Sequence, residues 1–224
     1  MSYRCNICRI PHFYGGRSVE NLIRGVQNFL KEDFPKHQSL FESLENGQAP
    51  HTLFIGCSDS RLVPDLITQS GPGDLFVIRN VANVVPHFRH SKEYLSTTSA
   101  IEYAVQVLKV ENIVVCGHSN CGGCKALFFD ESDLSEIPHT AKWLELAGRA
   151  KKKGLESGLE PGNERERLVE HENIVEQIGH LLTYPYIKTR VDTGQLNILG
   201  WHFNIGTGEV HSYNLKQEKF EPIL

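Results

Sequence analysis

Several classes of protein are excluded by what this sequence lacks. No apolar run approaches the roughly 20 residues that a membrane-spanning helix needs, so no membrane partner is expected. No basic excess exists either: 23 Lys and Arg stand against 27 Asp and Glu, a formal net charge of −4. That balance gives no electrostatic basis for binding nucleic acid or acidic lipid. Cysteine is sparse, with six among 224 residues, too few for a fold held by disulfides. The opening stretch MSYRCNICRIPHFYGG lacks the basic-then-apolar pattern of a secretion signal, and a reducing cytoplasm is the expected location. Internal repeats, low-complexity tracts and breaks in composition are also missing.

What is present reads as an ordinary globular chain, 40% hydrophobic and 22% charged, long enough to bury a sizeable core in one domain. Leu22, Ile23, Val26, Phe29 and Leu30 recur at helical spacing within residues 18–34, with Ser18 as an N-cap. Three short β-rich runs follow, at 52–56 (TLFIG), 75–78 (LFVI) and 112–116 (NIVVC), with an amphipathic helix over 93–108 between the last two. A short helix is expected near Lys125 to Phe128, and a longer one from about Glu166 to Leu182, ending before Pro185. Residues 129–165, polar around one helix near Trp143, read as a solvated excursion. Residues 196–203 and 209–215 read as a closing strand pair. The alternation predicts an α/β fold, a central and mostly parallel sheet flanked by helices, with an N-terminal helical arm.

The cysteines are unevenly placed: Cys5, Cys8 and Cys57, then Cys116, Cys121 and Cys124 within nine positions. Cys57 directly follows the first predicted strand, while His118 and Cys121 follow the third. Ligands of open α/β sheets bind beyond the C-terminal ends of the strands, so two neighbouring strands can deliver all three side chains to one place. Two thiolates and an imidazole suit Zn²⁺, and three protein ligands leave a fourth position open, which is the catalytic kind of zinc site. Gly122 and Gly123 permit close backbone approach beside Cys121.

Three segments carry a family resemblance: Cys57-Ser58-Asp59-Ser60-Arg61, Arg79-Asn80-Val81-Ala82-Asn83 and His118-Ser119-Asn120-Cys121-Gly122-Gly123. With Leu182-Thr183-Tyr184-Pro185 and Leu199-Gly200-Trp201-His202, they make the chain resemble the β-class carbonic anhydrases over roughly residues 18–215. The resemblance implies one Zn²⁺ per subunit, held by Cys57, His118 and Cys121, and an Asp59–Arg61 dyad in which Arg61 keeps Asp59 off the metal. It implies reversible hydration of carbon dioxide to bicarbonate and a proton, by attack of zinc-bound hydroxide, with Asp59 accepting the nucleophile's hydrogen bond. It further implies a homodimer or higher homo-oligomer, tetramer and octamer both being open. One domain over 1–224 is expected: an N-terminal segment (1–17), a helical arm (18–46) and the zinc-binding core (47–215).

Within that family, the plant-like subtype lines its substrate pocket with Gln, Phe and Tyr at fixed offsets from the ligands. Gln48 lies nine positions before Cys57, Phe76 nineteen after it, and Tyr103 fifteen before His118. The family draws the Gln and the aromatic pair from different subunits. The other subtype has Trp three positions before the first Cys, as part of an inhibitory bicarbonate site; here that residue is Phe54. The expectation is therefore a constitutively open, plant-like enzyme.

The remaining candidates have plainer readings. Cys5 and Cys8 with His12 lack a fourth ligand for a closed zinc site and read as free thiols. Cys116 reads as core, Cys124 as an unassigned thiol, and the other histidines as solvated or capping. Carbonyl sulfide and carbon disulfide are linear like carbon dioxide, so hydrolysis of either is a rival activity on the same metal. A zinc-containing interaction module is the non-enzymatic rival, and the intact Asp59 and Arg61 weigh against it.

Overall fold

The computed structural model describes residues 19–91, 93 and 95–223. Cys5, Cys8, His12 and Ser18 lie outside them. The chain divides after Gln48 into two units.

In the first unit, α1 (Val19–Asn28) runs through a π-helical turn at Phe29–Asp33 into α2 (Phe34–Leu44). The expected helix is present, but its apolar stripe is not covered: Leu22 is 74% exposed, and Ile23, Val26 and Leu30 are exposed with it. The stripe has the right period, yet α1 has no buried residue. The aromatic rings pack on one another, with Phe29, Phe34 and Phe41 at centroid separations of 5.4 to 6.1 Å.

The second unit is built on six strands: β1 (Thr52–Cys57), β2 (Leu75–Asn80), β3 (Asn112–His118), β4 (Asn197–Phe203), β5 (Val210–Asn214) and β6 (Lys219–Pro222). Their order is β2-β1-β3-β4-β5-β6. The first four are mutually parallel, and β5 and β6 add antiparallel to β4. β1 is buried at every residue, as a central parallel strand with both faces covered must be. Chain order steps one way from β1 to β2 and the other way from β1 to β3. The crevice at the C-terminal ends of β1 and β3 is thus a topological switch point, where open α/β sheets bind ligands.

Eight helices accompany these strands among the described residues. In the second unit these are α3 (Pro64–Thr68), α4 (Ser96–Glu102, extended by a π-helical turn at Tyr103–Val107), α5 (Gly122–Ala126), α6 (Glu131–Ser135), α7 (Pro138–Leu144), α8 (Gly148–Glu156), α9 (Asn163–Leu181) and α10 (Pro185–Asp192). Residues 129–165 are no solvated excursion: α7, the turn after it and α8 bury Leu144, Ala147 and Ala150 in the core. Their polar composition hides a narrow apolar edge of small residues. Gly154 is part of it, because a Cβ there would meet Val169 of α9 at 2.6 Å. β6 was not foreseen either.

Candidate metal centre

The sheet brings the three candidate ligands together. Cys57 ends β1, His118 ends the neighbouring β3, and Cys121 stands just before α5. Their donor atoms lie within 4.8 Å of one another, and all three residues are buried. Two sulfurs bonded at about 2.3 Å to one tetrahedral ion sit about 3.8 Å apart; Cys57 Sγ and Cys121 Sγ are 3.9 Å apart.

The other ring nitrogen of His118 fixes the tautomer that a metal ligand needs. Nδ1 lies 3.0 Å from the Ser119 carbonyl, which can only accept, so Nδ1 carries the proton and Nε2 presents its lone pair. Nε2 is buried without a hydrogen-bond partner, a costly vacancy for a polar atom unless something else binds there. The thiols say the same. The adjacent Cys121 thiol and burial push Cys57 up to about 12, and the Cys124 thiol holds Cys121 well above its ordinary value. A buried pair of thiols gives up both protons when a cation compensates the charge. The donor set therefore fits a soft divalent ion such as Zn²⁺.

Asp59 and Arg61 pair in bidentate fashion. Arg61 Nε donates to Asp59 Oδ1 at 2.9 Å and Nη2 to Oδ2 at 2.7 Å, with the Arg61 backbone N–H on Oδ1 at 3.0 Å. This grip holds the Asp59 carboxyl down at about 2, so it is an acceptor at neutral pH. Its Oδ2 is 3.8 Å from His118 Nε2, beyond hydrogen-bond reach but beside the candidate ligand atoms. Arg61 Nη2 also donates to the Asn120 carbonyl at 3.1 Å, tying the loop after β1 to the loop after β3. Arg79 anchors backbone rather than a carboxylate, donating to the carbonyls of Cys57 and Asp59.

The turn after β2 explains the rest of the second motif. Asn80 brackets it, its amide donating to the Val84 carbonyl and accepting from the Val84 N–H. Ala82 and Asn83 inside it have positive φ. This tight turn packs on α5 where Gly123 stands, and a Cβ there would meet Ala82 Cβ at 2.8 Å. Phe76 and Tyr103 come together, with ring centroids 5.9 Å apart and Tyr103 44% exposed. Gln48 belongs to the arm unit. Cys116 and Cys124 are buried free thiols.

Sequence reasoning missed a buried polar stripe on α9. Asn173 donates to the Ala82 carbonyl and Gln177 accepts from the Val85 N–H, so both brace the turn after β2. Glu170 accepts the Cys121 N–H at 3.0 Å, and His202 of β4 meets its other oxygen at 3.0 Å. The signal was available in the helical spacing of Glu170, Asn173 and Gln177, but a polar face on a helix ordinarily means solvent.

Comparison with known proteins agrees with this geometry. The family profile described as "Carbonic anhydrase" matches residues 52–210. A carbonic anhydrase of Helicobacter pylori (strain J99) is 41% identical over 204 residues, covering 89% of this chain and 92% of that one. One from Synechococcus elongatus is 42% identical over 194 residues, covering 86% and 70%. Among solved structures, the β-carbonic anhydrase CcaA superposes with a TM-score of 0.87 at 40% identity, covering 92% of this chain and 99% of that one. A tetrameric β-carbonic anhydrase of Sordaria macrospora gives 0.75 at 31% identity, covering 88% and 97%. With the profile spanning most of the chain and its site assembled where the sheet reverses, this chain belongs to the β-class carbonic anhydrases.

Proposed function

We propose that Cys57, His118 and Cys121 hold the zinc ion of this carbonic anhydrase, and that Asp59 and Arg61 carry its reversible hydration of carbon dioxide to bicarbonate. One observation bears most of the weight: His118 Nε2 is buried and unpartnered beside two thiols at the spacing of a tetrahedral ion. Zinc held there supplies a Lewis acid that lowers the pKa of water to about 7, the value established for the three-histidine carbonic anhydrases.

The chain's own groups do the rest. Asp59, ionised and turned by Arg61, accepts the hydrogen bond of the attacking oxygen and aims its lone pair at the substrate carbon. Arg79 fixes the backbone on either side of that carboxylate by holding the carbonyls of residues 57 and 59. The buried site excludes bulk water from the ligands, and the proton released in each turnover leaves to buffer.

The plant-like, open subtype is part of this proposal. Supporting it are the pairing of Asp59 with Arg61 rather than membership in the ligand cluster, the Phe76–Tyr103 pair, and Phe54 packed edge-on to Trp201 where the other subtype has Trp. Gln48 completes the pocket from a second subunit, so the active species is a homodimer or a larger assembly such as a tetramer, with arm and core as parts of one functional domain. Among the described residues no helix is long and apolar enough to cross a membrane. Thiolate ligands keep best in a reducing compartment, and the cytoplasm is the proposed location.

The test is stopped-flow hydration of carbon dioxide with a pH indicator, run beside sulfide release from carbonyl sulfide on protein of measured zinc content. Rapid hydration at one zinc per chain is expected. Negligible hydration at full zinc occupancy, with sulfide release intact, overturns the assignment.

A further inference from the structure

Behind the candidate ligands, on the side facing α9 and β4, sits a buried hydrogen-bonded arrangement that the chemistry above does not use. Glu170 and His202 are each 3% exposed. Glu170 Oε1 accepts the backbone N–H of Cys121 at 3.0 Å, and Oε2 lies 3.0 Å from His202 Nε2. A carboxylate only accepts, so Nε2 of His202 carries the proton of that bond. The His202 ring is held in turn edge-on by His171 at 4.5 Å, and His171 stacks on Phe220 of β6 at 4.0 Å.

We propose that Glu170, oriented by His202, is a positioning residue that fixes the backbone of Cys121 and so governs how firmly the site retains its metal. The inference rests on the assignment of Cys57, His118 and Cys121 as zinc ligands. Cys121 precedes α5 with extended backbone, φ −68° and ψ 118°. Its N–H is therefore outside the helical hydrogen-bond pattern, and Glu170 is its partner. Cys57 and His118 end strands and are each held by sheet pairing, Cys57 beside Asn80 of β2 and His118 beside Phe203 of β4. Cys121 has no such ladder. Its position depends on α5 and on this carboxylate, brought by a helix and a strand far along the chain. Groups that orient a metal's ligands in this way affect affinity by about 10- to 100-fold when removed.

The same helix supplies an internal control. Glu176 is also a buried carboxylate on α9, and it accepts two backbone N–H groups, from Arg149 and Ala150 at the start of α8. It makes the same kind of contact without touching a candidate ligand.

The experiment measures zinc release from the loaded full-length protein to a chromophoric chelator, with the thermal midpoint taken with and without zinc. Glu170→Ala is expected to release zinc about 10- to 100-fold faster and to shrink the gap between zinc-loaded and zinc-free midpoints. His202→Ala should follow in the same direction. Glu170→Gln should be milder, since its amide can still accept from Cys121 while donating to His202 in the other tautomer, and it stands in if Glu170→Ala does not fold. Glu176→Gln should release zinc at the wild-type rate. Glu170 and His202 variants that match wild-type release overturn the proposal, as does a Glu176 variant that accelerates release equally. A wild-type protein that binds no zinc, or a Cys121→Ser variant that keeps it, overturns the ligand assignment itself.

Discussion

The two faces of the sheet share their strands and bury different chemistry. On one face Leu53, Ile55, Ile113 and Val115 meet Ile174, Leu181, Tyr184 and Ile187, an apolar layer. On the other, Phe54, Val114 and Cys116 join Leu144, Ala147 and Ala150 from α7–α8, and the layer includes Cys57, Cys121 and Cys124. A protonated thiol packs as a small hydrophobe and a thiolate binds metal. The second face can therefore be core and reaction centre at once. The first face should answer to substitution in stability, and the second in metal content and turnover.

The sharpest way to break this division is Cys121→Ser, which should bring zinc from about one per chain to near zero and abolish hydration; metal analysis with stopped-flow assay reads both. Next in size, Asp59→Asn should lower turnover by about 10² to 10⁴ while zinc stays bound, because its carboxylate adjoins the ligands without belonging to the cluster. On the apolar face, Leu53→Ala removes a fully buried side chain and should cost about 2–5 kcal/mol in denaturant unfolding. Zinc stoichiometry of the folded fraction should not change. If Leu53→Ala strips the metal, the faces are not separable in this way.

The smallest expected effect concerns acid. Burial, with the nearby His202, Arg167 and His211, lowers His171 to about 3 from its ordinary 6.5. In the fold it stays neutral, while the unfolded chain takes up a proton as pH falls through 6.5. Unfolding free energy should thus be unaffected above that value and decline between about pH 6.5 and 3. Urea midpoints across this range should fall less steeply for His171→Gln than for the wild type. An unchanged slope would show that His171 is not part of the acid sensitivity.

How much of this could be read in the sequence follows from where each signal resides. Strand β1 is a short apolar run with a candidate ligand at its end, and β3 is the same, so a parallel sheet and the clustering of the three side chains were legible together. The Asp59–Arg61 pair was legible through the motif. Gln48, Phe76 and Tyr103 were marked by spacing, which says nothing about the assembly that would unite them. Other features failed for physical reasons. Lys219–Pro222 is short and ends in proline, yet it pairs as an edge strand, where a missing N–H costs little. Residues 129–165 look solvated because Ala147, Ala150 and Gly154 bury little area apiece. Glu170 escaped notice because a buried carboxylate is recognisable only by its partners, and those lie 49 and 32 positions away.

The 64-residue separation of Cys57 and Cys121 bears on folding as well as catalysis. The segment between them contains β2, α4 and β3, so a metal held by both ends closes a long loop through the heart of the sheet. Loop-closure entropy grows with length, and a clip across a long loop removes more disorder from the unfolded chain than a local one. The proposed three-ligand site needs β1 and β3 side by side, so a metal held there would act as a clasp on the assembled sheet. An ion so placed would thus serve the assembled sheet as well as turnover.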